Sequence, residues 1–226
     1  MLALTFDDGP DPRWTPAVLA ALAQAGARAT FFVLGSRAFE HPDVVRRVLA
    51  EGHGVEVHGH AHLRHPAAGR AAVVADLDAG LTVLSGLGAD PRLWRVPWGD
   101  LAGWSEALAA ERGLRAAGWT VDTHDWRGDD AGTMLAACEP ELQPGAIVLA
   151  HDGLGPGARR DGCAETVALI APLVSATRAR GLEPGPVSPG PFAVRASPPA
   201  GGGRSALDRA AGENHPVVSA GSTGAT

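Results

Sequence analysis

The sequence predicts an α/β domain, a distorted barrel of seven β/α units, one short of the eight in a TIM barrel. Three observations carry that prediction. Short apolar runs alternate with amphipathic stretches of helical length. Such alternation calls for a parallel sheet, open or closed into a barrel. The number of strand-like runs comes to about seven.

Residues 2–6 read as the first strand. Thr15 before Pro16 reads as a cap followed by proline at the first helical position, opening a helix that Gly26 ends. Residues 29–33 give a second strand and 42–51 a helix closed by Gly52. Residues 55–57 give a third strand, and an Ala/Leu/Val pattern over 71–84 a third helix. Further strands fall at 93–95, 119–121 and 146–150, with helices over 103–112, 131–138 and 164–180. A weak seventh strand lies near Leu182. From Ser197 the chain turns to Pro, Gly, Ser and Ala, and such a segment buries too little to offset its ordering entropy. One domain over 1–196 and a disordered tail over 197–226 are expected.

Composition narrows the function classes. The 226 residues suffice for one large domain with a true core. With 45% hydrophobic and 19% charged residues, the chain is neither a coiled coil nor disordered throughout. A net charge of −6 without a basic run argues against binding nucleic acid through phosphates, or an anionic membrane surface. No apolar stretch reaches the ~18 residues of a membrane span. Met1 leads straight into Leu2-Ala3-Leu4 without a signal-peptide pattern. A cytoplasmic monomer is the expectation, or a secreted protein if the start is truncated or misassigned. The two cysteines, Cys138 and Cys163, form no CxxC, which excludes thiolate-held zinc; two unpaired thiols are expected rather than a disulfide.

Acidic and histidine residues crowd at strand ends, which share one face in a parallel α/β fold. Asp7-Asp8-Gly9-Pro10 follows the first strand. One carboxylate could bind a metal while its neighbour acts as base; a polar turn capping the next helix is the plainer reading. His58-Gly59-His60-Ala61-His62 follows the third strand. One helical turn would place His58 and His62 on the same side, a common two-ligand arrangement. Five histidines between positions 53 and 65 strengthen the case for metal. In Arg95-Val96-Pro97-Trp98-Gly99 the Arg could orient a carboxylate and the Trp offer a flat face to a sugar, though both could be structural. Asp122-Thr123-His124-Asp125-Trp126 and Leu149-Ala150-His151-Asp152 each set a histidine among acids, as a proton donor needs.

The order of these five clusters, from Thr5 to His151, resembles the ordered signature of the polysaccharide deacetylases, also called the NodB homology domain or carbohydrate esterase family 4. The resemblance covers about two-thirds of the chain. It implies the NodB version of the barrel and a hydrolase that removes N-acetyl or O-acetyl groups from an acetylated carbohydrate. It implies one divalent ion, Zn2+ first and Co2+ or Ni2+ as alternatives, held by Asp8, His58 and His62. It makes Asp7 the base that activates water and Arg95 the residue holding Asp7. It makes His151 the acid for the leaving amine, with Asp122 holding its imidazole. Pro97 and Trp98 become part of the groove wall, with the Trp98 N–H as oxyanion donor; Trp126 and Leu149 become walls of the acetate pocket.

Departures are few. Family members usually carry Ser or Thr after the first ligand histidine, where this chain has Gly59, which puts the bracing of that loop in question. Val96 replaces a frequent proline. His60 and His65 have no role in the resemblance and are expected at the surface. Two histidines and a carboxylate also suit iron(II) in an oxygenase, but such sites usually lie on a double-stranded β fold. A non-catalytic sugar-binding relative would be expected to lack the base, a ligand or the acid. Members acting on small non-glycan amides share these motifs.

Overall fold

The computed structural model of the protein describes residues 1–188. The expected tail over 197–226 lies outside the described residues. Eight strands join one sheet: β1 (Leu2–Asp7), β2 (Thr30–Val33), β3 (Gly54–Val57), β4 (Leu93–Trp94), β5 (Arg115–Ala116), β6 (Val121–Asp122), β7 (Ile147–His151) and β8 (Pro184–Gly185). Their order is β5-β4-β3-β2-β1-β7-β6, and every pairing is parallel. Strand β8 pairs with Leu2 and Ala3 of β1, before the register of β2 begins at Thr5. The outermost strands, β5 and β6, do not close on each other, so the sheet curls into an incomplete barrel.

Strands buried on both faces must read as continuous apolar runs, and the central ones do. All six residues of β1 and all four of β2 are buried. Helices cover the sheet: α1 (Trp14–Ala25), α2 (Gly35–Glu40), α3 (Pro42–Ala50), α4 (His65–Ala68), α5 (Arg70–Gly86), α6 (Ser105–Glu111), α7 (Ala131–Cys138) and α8 (Ala164–Ala179). Among the described residues no helix is long and apolar enough to cross a membrane.

Most predicted elements stand within a few residues of their expected limits. Three escaped the apolar pattern: α2, β5 and α4, the last a single turn of four residues. Helix α2 has six residues, and its one large apolar side chain, Phe39, is 75% exposed. Strand β5 has only two residues. Thr15 does not cap α1. The Asp11 carboxylate accepts the first amides, from Arg13 and Trp14, each at 2.8 Å. The freed Thr15 hydroxyl instead donates to buried Asp152. Both cysteines are free and buried.

His65 is a larger correction, because it is a core residue rather than a surface one. Its ring lies between Trp94 and Trp104, at centroid distances of 4.7 and 5.6 Å, with Nδ1 2.9 Å from Ser105 Oγ. His60 is half-buried rather than exposed. Burial disfavours the charged imidazole and pushes His65 down to about 4. The unfolded chain takes up this proton near the ordinary histidine value of 6.5, whereas the folded chain resists it until about 4. Stability from this residue is therefore complete above 6.5 and is lost as pH falls towards 4. Urea unfolding at pH 7 and pH 5 should show a smaller acid-induced fall in midpoint for His65→Phe than for the unmodified protein.

Candidate active site

The C-terminal ends of β1, β3, β6 and β7 bring Asp7, Asp8, His58, Asp122 and His151 to the lining of one open cavity of about 250 Å³. Trp98, Trp119, Trp126 and Leu149 supply apolar wall. Asp7 and His151 are register partners on adjacent strands. In the strand order His58 lies beyond β2 on one side of Asp7, and His151 lies on the other.

Asp8, His58 and His62 converge. The Asp8 Oδ1 atom is 3.2 Å from His62 Nε2 and 3.5 Å from His58 Nε2, yet it has no hydrogen-bond partner and is buried. One ligand atom from each of the three residues fits within a 4.8 Å cluster. His58 Nδ1 lies 2.8 Å from the Arg95 carbonyl, which can only accept. The ring therefore carries its proton on Nδ1 and turns the Nε2 lone pair inward, as a metal-binding histidine requires. Burial alone would raise the Asp8 carboxyl, but contact with His58 and His62 and the charge of His151 hold it well below the usual range. His58 is lowered by burial and raised more strongly by Asp7 and Asp8. The pocket thus favours positive charge at the point where three ligand atoms meet. An Asp-His-His set of nitrogen and oxygen donors with an open side fits one divalent ion.

The route to this convergence differs from the helical turn expected of His58 and His62. The 58–62 segment is a loop, with Gly59 at φ 86° and His62 at φ 56°. All four non-glycine residues with positive φ among the described residues lie at or beside the cavity: Asp8, His62, Trp98 and His124. Pro97 is buried beneath the Trp98 turn and does not line the cavity, so of the expected pair only Trp98 forms wall.

Asp7 faces Arg95, whose Nη1 lies 2.7 Å from Asp7 Oδ1 and 2.7 Å from Thr5 Oγ1. Nη2 donates to the Gly118 carbonyl at 2.9 Å, and the guanidinium stacks 3.9 Å from the Phe32 ring centre. The guanidinium holds the Asp7 carboxylate in one orientation.

His151 requires a correction. The resemblance gave it Asp122 as partner, but the structure gives it Asp125: His151 Nδ1 is 2.7 Å from Asp125 Oδ1. Asp122 instead accepts the His124 backbone N–H at 2.7 Å and lies 3.1 Å from the His124 ring. The chain reverses at His124, φ 56°, and the turn that follows carries Asp125 to His151. Asp125 is fully buried and saturated. It also accepts from the His151 N–H, the Thr166 hydroxyl and Arg160 Nη1, at 2.9, 2.7 and 3.0 Å. Burial alone would raise Asp125, but His151, Arg160 and Thr166 hold it down to about 2. Burial would lower His151, but Asp125 first, and then Asp8 and Asp7, push it up to about 9.

Several participants escaped the sequence reading. Arg160 has no motif of its own. Arg37 Nη1 donates 2.6 Å to the Asp8 carbonyl and Nη2 donates 2.8 Å to that of Leu154, tying the metal-ligand turn to the loop after β7. Gly155 is required there because a Cβ would overlap Asp8 Oδ2. Trp119 lies under Gly99 and completes the wall. The glycine spacing after Leu149-Ala150-His151 was the one available signal.

Comparison with known proteins agrees with this geometry. The family model described as polysaccharide deacetylase matches residues 1–117. A chitooligosaccharide deacetylase of Bradyrhizobium sp. is 37% identical over 194 residues, covering 80% of this chain and 85% of that protein. The chain belongs to the polysaccharide deacetylase family. A peptidoglycan-N-acetylglucosamine deacetylase of Bacillus cereus is 32% identical over 180 residues, covering 79% of this chain and 65% of the relative. The family 4 carbohydrate esterase of Streptomyces lividans, solved with acetate, superposes with TM-score 0.76 at 30% identity, over 84% of this chain and 94% of the other. A family pseudoenzyme of Bacillus anthracis superposes with TM-score 0.75 at 20% identity, over 83% and 63%, so this fold alone does not decide activity.

The Asp125 geometry makes a prediction that separates it from Asp122. A bound cation would offset the influence of Asp7 and Asp8 on His151, whereas Asp125 acts from the other ring nitrogen and would persist. Removing its negative charge disfavours the protonated imidazole. In Asp125→Asn the alkaline limb of kcat/KM should therefore move to lower pH by ~1 unit or more. In Asp122→Asn it should stay in place.

Proposed function

We propose that this deacetylase hydrolyses the N-acetyl group of an acetylated glycan of the chitooligosaccharide or peptidoglycan type. Asp8, His58 and His62 would hold one divalent ion, with Zn2+ suited to the mixed nitrogen and oxygen donors. The observation that carries the reading is the pairing of two proton carriers with opposite counter-ions around the ligand cluster. Asp7 is held by Arg95 at 2.7 Å and His151 by Asp125 at 2.7 Å.

Asp7, oriented by Arg95, accepts a proton from the attacking water. The water oxygen bonds to the acetyl carbon. His151, engaged at Nδ1, presents Nε2 and donates its proton to the departing nitrogen. The C–N bond breaks, leaving acetate and a free amine. An amide needs that acid because without a proton its nitrogen would have to leave as an amide anion, a very poor leaving group. When bound, a divalent ion would acidify water and polarise the acyl carbonyl. Trp98 offers a face to a sugar ring, and Trp126, Leu149 and Trp119 give apolar surface for the acetyl methyl.

Acetate release from chitooligosaccharides, peptidoglycan fragments and acetylated xylan, with zinc measured on the same sample, tests the substrate class. Release from none of them would overturn it. Asp7→Asn should retain the metal and lose ~10²–10⁴ in rate. His151→Ala should also retain it, with a larger loss on amides than on an aryl acetate, whose leaving group needs little protonation. An equal loss on both substrates would remove His151 from the role of acid.

A further inference from the structure

The stretch between the two histidine ligands has its backbone held from outside on both sides. The Gly59 carbonyl accepts from Gly35 N–H at 2.9 Å, and the His60 carbonyl accepts from Ser36 N–H at 3.2 Å and the Ser36 hydroxyl at 2.7 Å. These donors lie at the start of α2. On the other side the amides of His60 and Ala61 donate to the two oxygens of one carboxylate, Asp76 of α5, at 2.8 and 2.7 Å. Two amides sharing one carboxylate make a charge-assisted fork, stronger and more directional than neutral bonds.

Glycines make the approach possible. Gly59 has φ 86°, and a Cβ there would stand 2.6 Å from Asp76 Oδ2. A Cβ on Gly80 of α5 would stand 2.8 Å from the Gly59 carbonyl oxygen. Position 59 thus cannot carry a side chain while Asp76 holds its place. The two ligands also differ in their independent support. His58 is fixed by its N–H to the Val33 carbonyl at 2.9 Å and by Nδ1 at the Arg95 carbonyl. His62 Nδ1 has no hydrogen-bond partner, and apart from Asp8 at Nε2 the ring meets the rings of His58 and Trp98. The direction of His62 depends on the backbone just before it.

We propose that Asp76 is a positioning residue of the metal site, holding the 59–61 backbone so that His62 meets Asp8 and His58. It touches neither the ion nor the substrate. The proposal rests on Asp8, His58 and His62 being the ligands. It also accounts for Gly59 where the family usually carries Ser or Thr: the Asp76 carboxylate occupies the space of a side chain at 59 and braces the loop in its place.

The test is Zn2+ affinity by chelator competition for the full chain, Asp76→Asn, Asp76→Ala and His62→Ala. The melting temperature of each metal-free protein and the visible absorption of each Co2+-loaded one complete the set. Asn is nearly isosteric but sets an N–H donor against an amide N–H, so it breaks the fork without opening space. Both Asp76 variants should lose ~10–100-fold in Zn2+ affinity. Their metal-free melting temperatures should stay near that of the unmodified protein, and the Co2+ bands should change. Unchanged affinity in the Asp76 variants, with His62→Ala losing zinc, would overturn the positioning role and leave the ligand assignment standing. Full zinc affinity in His62→Ala would overturn the ligand assignment itself. A fall in metal-free stability large enough to account for the affinity loss would make Asp76 merely structural and overturn the proposal; if Asp76→Ala does not fold, Asp76→Asn decides.

Discussion

A guanidinium with no exposed surface can exist only where its charge is answered, and in this fold Arg95 is answered by Asp7. The rest of the site follows from that buried pair. The side chain of Arg95 holds the base, while its carbonyl, one backbone step away, sets the ring of His58. One residue at the end of β4 therefore fixes Asp7, the proposed base on β1, and His58, a candidate ligand after β3. Removing one partner of such a pair leaves an uncompensated charge in the core, at a cost of ~3–5 kcal/mol. The pair is better understood as a locator than as a source of stability, since apolar residues of similar volume could fill the same space at no loss.

Around this pair the backbone is strained. Four non-glycine residues sit in the left-handed region, each costing ~1–3 kcal/mol. Such conformations persist only when the surroundings over-determine them. Asp8 is held through its carbonyl by Arg37, and the loop that packs against it requires Gly155. His62 follows a segment gripped by α2 and α5. Strain at the ligands is thus balanced by polar contacts from helices that never reach the cavity.

Legibility in the sequence followed the range of the interactions. The buried strands could be read because burial on both faces leaves continuous apolar runs, as in β1 and β7. The candidate ligands and proton carriers could be picked out because strand ends in parallel folds share a face. Their partners could not. The choice between Asp122 and Asp125 depends on a reversal at His124 that places the later carboxylate under the ring. His58 and His62 do converge, but through a loop with two positive φ values rather than the expected helical turn. Arg37, Asp76 and Arg160 lie in unremarkable helical or loop sequence, and only the tertiary structure brings them to the site. His65, one of five clustered histidines, turned out to fill a slot between two tryptophans, because histidine is also a flat ring of core size.

The two proton carriers show why opposite counter-ions belong in one cavity. A carboxylate beside an imidazole favours the protonated ring, and Asp8 and Asp7 do raise His151, but less than Asp125 does. Here Asp7 is bound to a cation that never loses its charge, and His151 to an anion held down to about 2. Each partner is itself buried and hydrogen-bonded, so neither counter-ion can turn away to solvent. Burial would lower His151, but Asp125 above all, and then Asp8 and Asp7, push it up to about 9, which favours the protonated ring. On the proposed reading, a protonated His151 is the donor that the departing nitrogen requires. Asp125, which touches no substrate, belongs to the chemistry as much as the histidine it holds.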